Sequence, residues 1–296
     1  MARTTGRTET VRQSTERFSG AGRTALRVAV LLGLLAGSAA CTVDSTKRHY
    51  VLAEKLWTDG KYSASVSEFD KVAARDPHGK LGTQALLRAA TTQALFLSQY
   101  GPAISKLKRF VESSQDSSAV WEARMEIGDL LFSKTEHYEQ AILYYRNLIA
   151  LRPSAPEVPG FLFRIGRSQY FVAQFDDASA SYREIVREYA QSPWAERAAF
   201  EMAQTRLAQG EQTGTSRSAQ DIFKAAMGMY EGFVKRYPKS HYAAEAQFGI
   251  ASCLEEMDQL DAAYQLYQSL AESYPDRNVI QIKLARIRER KAQRSH

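Results

Sequence analysis

The stretch Gln174-Phe-Asp-Asp-Ala-Ser-Ala-Ser-Tyr-Arg-Glu-Ile185 decides the fold. It sets a small residue, Ala178, four positions before Tyr182, and Tyr182 three before Ile185. Steps of four and three return to the same stripe of an α-helix, so these side chains share one face. The same figure recurs along the chain. Small residues stand at Ser65, Ala103, Ala141, Ala178, Ala226 and Ala263, at intervals of 38, 38, 37, 48 and 37. Four later come Phe69, Leu107, Tyr145, Tyr182, Tyr230 and Tyr267, and three after those Val72, Phe110, Leu148, Ile185, Phe233 and Leu270. Pro77, Pro153, Pro238 and Pro275 follow, where proline cannot continue a helix.

A second small residue stands about one helix earlier: Ala53, Thr91, Gly128, Gly166, Ala203 and Ala251. Small side chains at both places let two antiparallel helices approach closely, with Tyr62, Tyr100, Tyr138 and Phe175 packing after the turn. This pattern resembles the tetratricopeptide repeat, a helix–turn–helix unit of nominally ~34 residues. One such unit cannot bury its own apolar face, so copies must stack. The expected fold is all-α: a tetratricopeptide-repeat superhelix of about six helix–turn–helix units over 47–276. A C-terminal basic capping helix over 277–296 ends it, with Ile280, Leu284 and Ile287 inward and Lys283, Arg286, Arg290 and Lys291 mostly on other faces. The 48-residue interval is expected to hold a polar loop, Gly210-Glu-Gln-Thr-Gly-Thr-Ser-Arg-Ser218.

Hydrophobic residues make up 44% of the 296 and charged residues 24%, an ordinary composition that excludes collagen-like and largely disordered classes. The net charge of +6 is unevenly placed. Residues 1–27 carry six arginines against Glu9 and Glu16, ahead of an apolar run from Val28 to Ala40 and then Cys41. Thirteen helical residues reach only ~20 Å, short of a bilayer's hydrocarbon core. Residues 1–40 are therefore expected to be a signal peptide. Small residues directly before Cys41 resemble a bacterial lipoprotein cleavage site, which implies acylation of Cys41 and a short tether over 41–46. Ordinary cleavage after Ala40 is the alternative. Thr42 stands where some bacteria read aspartate as an inner-membrane signal, so the expected address is the periplasmic face of the outer membrane. Without residues 1–40 and the basic last helix, the body is net acidic, which excludes nucleic-acid binding.

No catalytic constellation is visible, and no small-molecule substrate, cofactor or metal is expected. His49, His78, His137, His241 and His296 form no ligand pair, and no glycine-rich phosphate loop or HExxH motif occurs. Cys253, between apolar neighbours, is expected to be a buried structural thiol.

The array instead offers surface to other proteins. In tetratricopeptide arrays the first helix of each pair lines the concave side, and the resemblance implies Tyr50, Trp57, Arg88, Phe96, Phe163, Arg167, Tyr170, Phe171, Arg197 and Phe200 as binding residues there. Packing in the core between repeats is the alternative for several of the rings, Trp57, Phe163 and Tyr170 among them. Arg286 and Arg290 of the last helix are expected to dock a permanent partner. The segments Tyr50-Val-Leu-Ala-Glu-Lys-Leu-Trp-Thr-Asp-Gly-Lys-Tyr62, Lys108-Arg-Phe-Val111 and Tyr237-Pro-Lys-Ser240 resemble the BamD-type lipoproteins of the outer-membrane protein assembly machinery. That resemblance implies a lipid-anchored, non-catalytic scaffold binding a β-barrel assembly subunit and client peptides. Tyr237-Pro-Lys-Ser240 and Tyr274-Pro-Asp276 are also similar to Tol-associated periplasmic repeat proteins, and an acylated repeat array also suits a pilotin for a secretin or pilus.

Overall fold

A computed structural model describes residues 45–294 of the chain. The signal segment, Cys41 and the first tether residues lie outside them. The described residues form thirteen helices and no strand. They are α1 (45–58), α2 (Tyr62–Arg75), α3 (Lys80–Phe96), α4 (Tyr100–Ser113), α5 (Ser117–Ser133), α6 (Tyr138–Leu151) and α7 (Val158–Phe171). There follow α8 (Phe175–Glu188), α9 (Ala195–Thr213), α10 (Arg217–Arg236), α11 (Ala243–Glu256), α12 (Leu260–Ser269) and α13 (Arg277–Arg294). Helix α1 begins inside the expected tether, and Thr46 is already buried. The chain divides into two compact units at Ala123, within α5.

In the first unit, α2 buries Ser65, Phe69 and Val72, the small, large and apolar members of the repeating figure. Ser65 can stand where other copies have alanine because its hydroxyl donates to the Ala53 carbonyl of α1 at 2.8 Å. A buried hydroxyl without such a partner would be costly. Helix α4 repeats the stripe with Ala103, Leu107 and Phe110. Thr91 is the exception among the earlier small positions: it is half-buried, and Ala90 and Thr92 beside it are buried instead.

In the second unit the stripes of α6, α8, α10 and α12 are buried through Tyr145, Tyr182, Tyr230, Tyr267 and their partners. Each large buried side chain contributes about 1.5–3 kcal/mol by leaving water. Glycines of the facing helices sit directly against these rings. A Cβ on Gly128 would stand 2.7 Å from Tyr145, and one on Gly249 would stand 2.4 Å from Tyr230. Close helix approach is thus set by glycine on one side and tyrosine on the other. Cys253 is fully buried, and burial pushes its thiol up to about 12.

The turns within pairs share one device. Gly60, Ser98, Glu136, Ala173 and Asp258 each adopt a left-handed backbone, with φ of 73°, 52°, 53°, 57° and 64°. Each lies five residues before the small residue of its second helix. The next residue donates its N–H to a carbonyl near the end of the first helix, as Gln174 does to Gln169 at 2.8 Å and Gln259 to Leu254 at 2.8 Å. This satisfies carbonyls that a helix end otherwise leaves unpaired.

The fifth pair departs from the expectation of a polar loop over 210–218. Helix α9 extends to Thr213 and α10 starts at Arg217, so the extra residues lengthen both helices to 19 and 20 residues. Gly210 is buried, within 2.5 Å of Phe223 once a Cβ is placed on it. Gly214, with φ of 81°, turns the chain, and the Ser216 hydroxyl caps α10 by accepting from the Ala219 N–H at 3.1 Å. The local composition is polar because these helical extensions are largely exposed.

Candidate peptide-binding surface

In the first unit, the four residues expected to bind partners gather around Glu54 of α1. Arg88 of α3 donates to its carboxylate through Nε at 2.9 Å and Nη2 at 2.6 Å. This two-point contact fixes the guanidinium plane and holds the Arg88 pKa above its ordinary value. The guanidinium carbon lies 4.8 Å from the centre of the Trp57 ring. Trp57 meets Phe96 edge-on at 5.7 Å, and Tyr62 stacks on Phe96 at 4.3 Å. Tyr50 packs edge-on against buried Phe69 at 5.5 Å, and burial followed by the Glu54 charge raises its hydroxyl. Phe96 remains 44% exposed, and Leu95 beside it is also exposed.

In the second unit, Tyr138 stacks on Phe171 at 4.6 Å, a second copy of the Tyr62–Phe96 arrangement. Phe171 is 45% exposed. Arg167 lies 5.1 Å from the Phe171 ring and donates to Glu201 at 2.9 Å. Tyr170 meets Phe171 and Phe175 edge-on, both at 5.8 Å. Arg197 pairs with Glu201 at 3.5 Å, and its guanidinium is 4.9 Å from Phe163.

Two expected binding residues are corrected. Phe163 and Phe200 are 4% and 5% exposed and belong to the core. Phe163 packs between Tyr182 and Trp194, and Phe200 stacks on Tyr242 at 4.8 Å. Both stand on a first helix, but on the side turned toward the second helix.

The last helix packs as a cap. Ile280, Leu284 and Ile287 are buried as the cap requires. Its cations are paired within the unit, and Arg286 and Arg290 stay partly exposed. The fully enclosed Glu255 side chain faces Lys283 at 3.1 Å and Arg290 at 3.8 Å, and pairs with Arg286. Arg290 and Arg294 share Asp258, and Lys291 pairs with Asp261. Arg286 and Arg290 therefore hold α13 to the preceding pair.

Reasoning from sequence missed Glu54 and Glu201, the carboxylates that fix the arginines. Each lies 34 residues from its arginine. That separation is the repeat interval of 37 or 38 residues less about one helical turn. Among the described residues no group of histidine, cysteine and carboxylate side chains could hold a metal ion. No helix there is long and apolar enough to cross a membrane.

Residues 161–192 and 245–277 match a family model described as tetratricopeptide repeat. No curated protein matches the sequence. Among solved structures, a tetratricopeptide repeat protein from Parabacteroides merdae ATCC 43184 is 13% identical with a TM-score of 0.50, covering 85% of this chain and 89% of that one. The Naa15/Naa10 structure bound to HypK-THB is 14% identical with a TM-score of 0.56, covering 90% of this chain and 38% of that one. PilW, described as a widely conserved type IV pilus biogenesis factor, is 18% identical with a TM-score of 0.49, covering 81% of this chain and 98% of that one. At such identities the likeness is one of fold. Interval, helix pairing and matched segments agree on one conclusion: the chain is a tetratricopeptide-repeat protein with an all-helical fold.

Proposed function

We propose that the chain is a non-catalytic interaction scaffold, held by an acyl group on Cys41 at the periplasmic face of the outer membrane, whose first-helix aromatics receive peptide segments of client proteins. The observation that supports it best is the Trp57, Tyr62 and Phe96 ring group, kept half in solvent while Glu54 and Arg88 lock its edge. Rigid aromatics beside an oriented arginine lose little freedom on binding and can pack an apolar side chain while pairing a carboxylate. Phe171, Tyr138, Tyr170 and Arg167 offer the second unit a similar surface.

The finer reading is a subunit of the β-barrel outer-membrane protein assembly machinery, supported by the resemblance of residues 50–62, 108–111 and 237–240. A pull-down of the acylated chain with mass spectrometry tests it. Recovery of an outer-membrane β-barrel assembly protein is the expected result. Recovery of Tol-linked or pilus proteins alone would move the assignment to those systems. Arg88→Glu with Trp57→Ala should weaken crosslinking to client peptides while leaving the complex assembled. Cys41→Ala should release the chain from the membrane fraction, and unchanged fractionation would refute the acyl anchor.

A further inference from the structure

Two of the seams between one helix pair and the next are closed by the chain's own aromatics. In the fourth pair, α7–α8, Tyr189 and Trp194 stand eleven and sixteen positions after Ala178. They pack into a core with Leu162 and Ile185, and the Trp194 ring lies 4.9 Å from Phe163. In the fifth pair Tyr237 and Tyr242 stand at the same distances after Ala226. Tyr237 packs on Phe233 at 5.2 Å and Tyr242 on Phe200 at 4.8 Å. The second pair, α3–α4, alone has small residues at both stations, Ser114 and Ala119. A cavity of about 460 Å³ opens there, within the first unit. Leu87 and Phe110, the counterparts of Leu162 and Ile185, line it. Most polar groups of its wall are already used. Thr83 donates to the Gly79 carbonyl at 3.1 Å and Ser113 to the Arg109 carbonyl at 2.8 Å. Ser114 accepts from the Asp116 N–H, and the Asp116 carboxylate accepts from the Ser118 and Ala119 N–H groups at the start of α5. Lys80, also on the wall, forms no ion pair among the described residues.

We propose that this cavity binds an aromatic side chain, tyrosine or tryptophan, presented by a segment of a partner protein with an acidic residue beside the ring. Its volume lies in the range of ligand pockets, about 300–1,000 Å³. The molecule itself shows what fits, since a tyrosine with a second aromatic fills the equivalent seam in the fourth and fifth pairs. The incoming ring packs against Leu87 and on the face or edge of Phe110. The Gln84 and Gln115 amides, which also line the cavity, accept from its phenol O–H or indole N–H. A carboxylate next to the ring meets the Lys80 ammonium, whereas the Asp116 charge is held by α5. The inference shares with the proposed function only the reading of the chain as a protein-interaction scaffold. The cavity has no lining residue in common with the Trp57, Tyr62 and Phe96 group and needs no acyl anchor.

The test uses the chain from residue 41 onward with Cys41→Ala, which keeps every described helix. Its probe is a fluorescein-labelled peptide of this chain's own residues 187–196, which carries Tyr189 and Trp194 between Glu188 and Glu196. Fluorescence anisotropy should report binding. The same peptide with both rings replaced by alanine should bind at least about tenfold more weakly, the least that burying one large ring contributes. Ser114→Tyr with Ala119→Trp rebuilds the fourth pair's filling in the second, so it should abolish binding and raise the Tm. Ala119→Leu, a smaller plug, should weaken binding, and circular dichroism checks that both variants keep their helices. Lys80→Gln should weaken binding about twofold to fivefold at low salt, as for an exposed ion pair. Arg88→Glu with Trp57→Ala should leave binding of this peptide unchanged. No binding, equal binding of the ring-free peptide, or binding retained by both plugged variants would overturn the inference. So would self-association that the filling abolishes, which would make a second copy the occupant. Binding lost in the Arg88→Glu, Trp57→Ala variant would place the peptide on the first-helix aromatics, and only this inference would fail. If the peptide binds as expected while client crosslinks ignore Trp57 and Arg88, only the proposed function fails.

Discussion

A Cβ built on Gly166 of α7 would stand 2.6 Å from the ring of Tyr182 in α8. Tyr182 is fully buried and also packs against Phe163 of α7 at 5.7 Å, so the ring has little room to retreat. Alanine in a helix interior is intrinsically favoured over glycine by about 1 kcal/mol. Here overpacking reverses that gain. Gly166→Ala should lower the unfolding free energy by about 1–3 kcal/mol in a denaturant titration. Ala141→Leu and Ala178→Leu, at fully buried positions, should cost about as much. A stabilised Gly166→Ala protein would show that this contact does not set the helix spacing.

The left-handed turns predict the opposite sign. Ala173 holds φ at 57° between α7 and α8, a conformation that costs an L-residue about 1–2 kcal/mol. Ala173→Gly should therefore stabilise the chain by about 1 kcal/mol, less the entropy that glycine brings to the unfolded state. Thermal unfolding would register an upward shift in Tm. The same exchange at Ala178, inside α8, should lower it.

Glu255 joins α11 to the last helix. Its side chain is fully enclosed and faces Lys283, Arg286 and Arg290. Glu255→Ala leaves those cations without their shared acceptor. They are partly exposed and can regain water, which places the cost at about 1–3 kcal/mol. Loosening should be confined to the C-terminal end. Hydrogen exchange should speed up in α13 and stay unchanged in α1 to α4; uniform acceleration would contradict this local role.

Acid should act on the first unit through Glu68. Its hydrogen bond from Lys71 lowers its pKa below the ordinary 4.5, with His49 adding to the effect. A carboxylate whose folded pKa is depressed stabilises the fold above its unfolded value and loses that contribution as pH falls through the folded one. Stability should therefore decline as the pH drops below about 4.5, the ordinary value for this group. In Glu68→Gln that part of the decline should vanish. An identical acid limb in both proteins would place the sensitivity elsewhere.

The repeating stripe was legible because small, large and apolar residues at four- and three-residue steps have few readings other than a buried helix face. All eighteen of those side chains are buried. Gly128 and Gly166 were legible for the same reason. Phe163 and Phe200 were not, because the sequence shows that a residue belongs to a first helix but not which side of that helix turns inward. The arginines were found without their carboxylates, since Glu54 and Arg88 lie on different helices and no local pattern links them. The 210–218 segment misled because polar composition describes solvent exposure as much as loop structure.

The long fifth hairpin has a consequence for how this fold tolerates change. Its interval exceeds the neighbouring 37 by 11 residues, close to three full turns at ~3.6 residues each. The two antiparallel arms take up this length together, as helices of 19 and 20 residues in place of 14 and 14, so it is added beyond the base of the hairpin and not within it. Tyr230 and Phe233 accordingly occupy the same buried stations as Tyr182 and Ile185. The distal end of such a hairpin is a natural grafting point, where foreign sequence added to both arms would leave the base of the pair undisturbed.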